Sequence, residues 1–188
     1  SGSDPMLKGF NPATMPHALI NNRNGTFTFA KLDEATANAA NNDNYWKDRD
    51  VGDDVSNPFP TFTGHKIQQM FFHRNRLGFV SGENIILSQP GSYFNFFIVS
   101  AISFSDDNPI DITVSDVKPA FINHVLPIQK GLMMFSDNGQ FLLFTESDIF
   151  SPKTARLKKL ASYECDSSIQ PVDLGTSILF TSNVAAYA

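Results

Sequence analysis

From Thr63 onward the chain runs in short apolar stretches broken by turn residues after about ten positions, the spacing of sandwiches, barrels and propeller blades. Such a rhythm invites a search for repeats. RLGFVSGENIILS (76–88) aligns with GLMMFSDNGQFLL (131–143) at a constant offset of 55, placing Leu77 on Leu132, Ser81 on Ser136 and Ile86 on Phe141. Both read strand, polar turn, strand. Asn138-Gly139 is a strong hairpin dipeptide and Gly82-Glu83 a fair one. A shorter echo sets PVDLGTSILFTS (171–182) on PIQKGLMMFSDN (127–138), with Pro171 on Pro127 and Gly175 on Gly131. Three similar strand starts predict successive blades of an irregular β-propeller, the last cut off at Ala188. A blade without its outer strands leaves unpaired edges, so the chain reads as a piece of a larger protein.

The expected class is mainly β, built of antiparallel hairpins with little helix. Eighteen Phe against one Trp and four Tyr suit pleated surfaces packed face to face. The 188 residues are enough for one domain that removes roughly 70% of its unfolded surface from water. Residues 1–6, SGSDPM, read as a cloning scar without the charged and apolar regions of a secretory signal. Residues 7–62 form a first hairpin plus a long irregular connection, and 63–188 the blade-like repeats. The hairpin falls in HALINNRNGTFTFAKL (17–32) around Asn24-Gly25. Residues 33–60 are rich in Asn, Asp and Ala, with one helical turn near Ala35 to Ala40.

The charge balance is mildly acidic, net −5 with a pI near 5.2, so no overall positive field gathers nucleic acid. The single cysteine, Cys165, excludes an intrachain disulfide and a Cys-based zinc site, and reads as a small buried hydrophobe. No apolar run approaches the ~20 residues of a membrane helix.

Several clusters carry potential chemistry. His73, Arg74 and Arg76 could orient a phosphate through guanidinium forks. No Gly-rich loop opens a helix nearby, and on a strand Arg74 and Arg76 share one face opposite His73 and Asn75. Pairing with carboxylates such as Glu83 is the preferred reading. Asp106, Asp107 and Asp111 offer oxygen ligands without the spacing of a calcium loop. Asp48, Asp50, Asp53 and Asp54 could hold an acid–base pair, against the plainer reading of a solvated loop. His17, His65, His73 and His124 share no metal or nucleophile motif. Lys153, Arg156, Lys158 and Lys159 could lie against nucleic acid or an acidic partner surface, against the commoner reading of a solvated strand edge protected by lysines. No catalytic, cofactor-binding or metal residue is assigned, and no cofactor.

Taken in order, MPHALI (15–20), Trp46-x-x-Arg49-x-x-Gly52-Asp53-Asp54, SNPFPTF (56–62), FFHRNRLGFVSGENIILSQPGSYFNFF (71–97), DDNPIDITVS (106–115), VLPIQKGLMMFSDNGQFLL (125–143) and SPKT (151–154) closely resemble one family. It is tail tubular protein B, the tail nozzle protein of short-tailed bacteriophages. The resemblance runs from about residue 15 to 182 and points to the central propeller-like segment. It implies a non-enzymatic virion tail component, made in the cytoplasm of the bacterial host. Its copies form a six-fold ring below an adaptor ring and near the fibres, and the genome leaves through this nozzle. Double-stranded DNA would pass without sequence-specific binding, and no small-molecule substrate is expected. The stretch 33–45 is longer and richer in Asn and Ala than in family members, and both flanking parts of the nozzle protein are missing. The alternatives are a carboxylate-based polysaccharide or cell-wall hydrolase, or a carbohydrate- or protein-binding module.

The roles expected of individual residues are mechanical. Gly78, Gly82 and Gly139 supply backbone freedom at turns, and Pro58 and Pro60 stiffen the approach to the first blade. Arg49, Arg74 and Arg76 are clasps to carboxylates such as Asp53 and Glu83.

Overall fold

The computed structural model describes residues 8–182. Its strands are β1 (Ala18–Asn21), β2 (Phe27–Ala30), β3 (Gln69–His73), β4 (Arg76–Ser81), β5 (Asn84–Leu87), β6 (Ile110–Thr113), β7 (Ile122–Ile128), β8 (Gly131–Ser136), β9 (Gly139–Thr145), β10 (Ala155–Ala161), β11 (Val172–Asp173) and β12 (Ile178–Leu179). One helix, α1 (Glu34–Ala39), follows β2, and the Asp33 side chain caps it by accepting from Thr36 N at 2.8 Å. The chain is mainly β, antiparallel, with almost no helix.

Two four-stranded meanders dominate, β3-β4-β5-β6 and β7-β8-β9-β10. They are the repeat seen in the sequence: β4 and β8, like β5 and β9, begin 55 positions apart. Each turn between them spans two residues, Gly82-Glu83 in the first and Asp137-Asn138 in the second. Gly82 has φ +61, which suits a turn with glycine at its first central position. The second turn is centred one residue earlier than the Asn138-Gly139 dipeptide suggests. Pairing of Ser136 with Gly139 makes Gly139 the first residue of β9, and its φ is not in the left-handed region. The third echo forms only the short ladder β11-β12, and residues 183–188, where it would continue, lie outside the described residues.

The first hairpin is present with a longer loop than Asn24-Gly25 implies. Asn21 pairs with Phe27, Asn22 N donates to Thr26 O at 3.1 Å, and the left-handed positions are Arg23 and Gly25. This two-stranded ribbon touches the core through Ala18 and exposes Leu19, Phe27 and Phe29, the last 72% accessible.

The meanders share one core. Val80, Ile85, Leu87 and Ile110 of the first pack with Val125, Leu132, Met134 and Leu143 of the second. Strand alternation sends Leu77, Phe79 and Ile86 to the opposite face, where Met15, Leu32, Trp46, Phe62 and Phe96 cover them. Every residue of β4 is consequently buried. Fully burying a side chain such as Phe79 contributes about 1.5–3 kcal/mol, and its ring stacks on Phe96 at 5.2 Å. On the far face of the second meander, Phe180 lies 5.4 Å from the buried Phe135. The result is layered: N-terminal segment, first meander, second meander, C-terminal segment. Among the described residues the ladders close no barrel or propeller.

Candidate functional site

The cationic cluster at residues 73–76 is the joint between these layers. His73 pairs with Arg76, so Arg74 and Asn75 are the two centres of a tight turn rather than strand residues on opposite faces. Both take left-handed backbone, φ 46 and 60. That conformation is uncommon for an arginine and is held in place by its surroundings. Asn75 O accepts from Gly91 N at 2.8 Å, and Asn75 Oδ1 accepts from the Tyr93 hydroxyl at 2.7 Å.

The turn delivers Arg76 into the interior, 2% exposed. Its guanidinium does not meet Glu83. Nη1 donates to Ser88 O at 2.7 Å and Asn108 O at 2.8 Å, and Nη2 to Asp106 O at 3.1 Å and Phe150 O at 3.2 Å. The clasp is therefore to main-chain carbonyls of both meanders: the β5–β6 loop of the first and the β9–β10 loop of the second. Burial holds the Arg76 pKa below its ordinary value, opposed by the nearby Asp107 charge. With four bonds committed to carbonyls, little of the fork remains for a phosphate.

Arg74 lies over the Phe150 ring, 5.8 Å from its centroid, and donates to Asp148 O at 3.4 Å. His73 meets the same ring edge-on at 5.4 Å. Burial, aided by the Arg74 charge, lowers the His73 pKa to about 4, so this imidazole is neutral at physiological pH. A shallow cleft of about 440 Å³ borders the cluster, where Asp106, Asp107 and Asp148 offset the arginines.

Arg49 does meet a carboxylate, Asp54 rather than Asp53. Buried Arg49 donates to Asp54 Oδ1 at 2.6 Å and Asn57 O at 3.0 Å, with the Phe59 ring 5.1 Å away. Asp53 instead closes its own turn, accepting from Val55 N and from Ser56 N and Oγ at 2.9–3.1 Å. Those bonds, the Ser56 amide foremost, lower its pKa, the opposite of what a proton-donating carboxyl needs. The Glu83 carboxylate accepts from Ala120 N at 2.7 Å, fastening the segment between the meanders.

Gly78 lies inside β4, not at a turn: opposite it stands Phe71, and a Cβ would come within 2.3 Å of that ring. Gly139 faces β10, where a Cβ would sit 3.2 Å from Ala161 O. Pro58 is exposed and Pro60 buried, in an irregular segment before the turn at 61–64.

The remaining candidates scatter. Asp111 accepts from Thr61 N and Oγ1, both at 2.8 Å, while burial raises its pKa. His17 stacks on Phe29, His65 is exposed, and the His124 ring lies against Ser167 O. Among the described residues no three His, Cys, Asp or Glu side chains gather as metal ligands. Lys159 of β10 pairs with Asp116 at 2.5 Å, and Lys153, in the turn before that strand, lies over Phe104. Cys165 is buried, and desolvation raises its thiol pKa.

Three carboxamides drew no attention in the sequence. Each grips one residue's N–H and C=O like a rung of a ladder: Asn57 on Ile98 (3.1 and 3.2 Å), Gln69 on Val125 (2.6 and 2.9 Å) and Gln140 on Tyr163 (3.3 and 2.8 Å). Gln69 ties β3 to β7 and Gln140 ties β9 to the C-terminal segment. Nothing in residue type or spacing distinguishes these amides from exposed ones.

Arginine and amide clasps aimed at main chain hold a scaffold, and comparison with known proteins points the same way. Tail tubular protein gp12 of Escherichia phage T7 is 38% identical over 169 residues, which cover 90% of this chain and 20% of gp12. The chain thus spans about a fifth of that relative's length. A family model described as bacteriophage nozzle protein matches residues 4–188. With a clasped scaffold and a match over nearly its whole length, the chain belongs to the bacteriophage nozzle protein family.

Proposed function

We propose that this chain is a non-enzymatic structural module of the phage tail, part of the wall of the conduit through which the genome leaves the virion. The observation carrying the reading is the pair of equivalent meanders locked face to face by Arg76 through main-chain carbonyls. Bonds to backbone fix the angle between sheets and make no demand on substrate, which suits a wall that bears load. The meanders are two blades of a propeller-like region completed elsewhere in the full-length protein. The exposed Leu19, Phe27 and Phe29 of the first ribbon fit a piece of a larger assembly, in which such a surface is covered.

In this reading the full-length protein forms a ring with copies of itself and contacts other tail proteins, an adaptor ring above and fibres nearby. Double-stranded DNA passes without sequence-specific contacts. The net charge of −5 suits a wall that does not bind phosphate. Electron microscopy of the full-length protein tests the assembly: a six-fold annulus is expected, and dispersed monomers at tail-forming concentrations overturn it.

A further inference from the structure

The chain contains two Asn-Gly dipeptides, Asn24-Gly25 and Asn138-Gly139, and the fold puts them in opposite chemical situations. In such a pair the glycine main-chain nitrogen can attack the asparagine Cγ. The N–Cγ bond forms, the Cγ–Nδ2 bond breaks, and ammonia leaves a succinimide. Water then opens either carbonyl to give aspartate or isoaspartate, with no change of oxidation state. Glycine favours the attack because no Cβ crowds its nitrogen and its φ is free.

We propose that Asn24 is a site of spontaneous deamidation and isoaspartate formation in the folded protein, and that Asn138 is protected. Asn24 is exposed, and Gly25, at φ +85, has nothing within 4 Å of where a Cβ would stand. Asn24 Oδ1 accepts from Thr26 Oγ1 at 2.6 Å and Thr26 N at 3.1 Å. Two donors on that oxygen draw density from Cγ and stabilise the charge that builds on oxygen during attack, as an oxyanion hole does. Asn138 is held by its amide nitrogen, Nδ2 donating to Pro119 O at 3.1 Å. Gly139 is buried and paired in β9, its carbonyl accepting from Ser136 Oγ at 2.9 Å. Attack there must first break the hairpin.

The isoaspartate product adds a main-chain methylene inside the loop closed by Asn22 N and Thr26 O, and a carboxylate beside Arg23. The ribbon has only four cross-strand pairs and an isolated two-stranded ribbon is marginal in water, so its pairing loosens.

The full chain is incubated in mildly alkaline buffer, folded and in urea, and conversion at each site is followed by peptide mass and isoaspartate methylation. In the folded protein, Asn24 converts with release of ammonia while Asn138 is roughly tenfold or more slower, the rate factor of a retained hydrogen bond. In urea the two rates converge. Thr26→Val slows conversion at Asn24 several-fold in the folded protein and leaves the urea rate unchanged. Equal rates in the folded protein, faster conversion at Asn138, or no isoaspartate at Asn24 overturns the proposal.

Discussion

Arg76 carries a full charge into the interior with no carboxylate among the described residues in salt-bridge contact, and four main-chain oxygens take its place. The sequence reads Arg76 as a clasp to a carboxylate; its actual partners are illegible there, because carbonyls of residues 88, 106, 108 and 150 leave no trace in residue type. Replacing Arg76 by Met keeps the volume and leaves those carbonyls without donors. The expected cost is about 3 kcal/mol, or a fall of about 6–12 °C in Tm for a chain of this size, read from thermal melts. Arg76→Lys should fall between, since an ammonium cannot span the fork. An unchanged melt in Arg76→Met removes the clasp from the argument. His73 supplies a pH dependence. Burial and the Arg74 charge depress its folded pKa to about 4 from 6.5, so the unfolded chain binds more protons between those values. Stability should fall as pH drops from about 6.5 to 4. His73→Phe, which keeps a ring against Phe150, should flatten that part of the Tm-against-pH curve, and an unaltered slope assigns it to other groups.

At the scale of elements, the repeated strand-turn-strand unit was readable because binary patterning and turn residues are local. The register was not. Ser136 and Gly139 pair so that Phe135 and Phe141 take their places on opposite faces, and this outweighs the preference of Asn-Gly for the turn centre. The HRNR stretch reads as strand in the sequence, yet Arg74-Asn75 adopts a turn usually given to Asn-Gly, braced through Gly91 and Tyr93. Gly78 serves packing. Gly78→Ala should cost about 1–3 kcal/mol by driving a methyl into Phe71. Adding Phe71→Leu should recover part of the loss, and no recovery in a denaturant titration argues against that cause.

At the scale of the molecule, each meander buries one face against the other and the opposite face under a terminal segment. The central cluster draws on both meanders, while a second cluster joins the first meander to the N-terminal segment. Unfolding is expected as one transition. Trp46, the sole tryptophan, reports on the N-terminal layer, and circular dichroism reports on both sheets. Coincident thermal curves are predicted, and two separated midpoints contradict a shared core. In the acidic loop at 48–54, Asp54 serves Arg49 and Asp53 serves its own turn.

By itself, the sequence determined the mainly β class, the 55-residue repeat and the family, because alternation, turn chemistry and ordered motifs act over short distances along the chain. The tertiary structure alone decided which partner each buried cation takes, which residues centre the turns, and that both faces of β4 are covered. Those outcomes depend on side-chain bonds to backbone as far as 74 positions away, formed only once two sheets have packed.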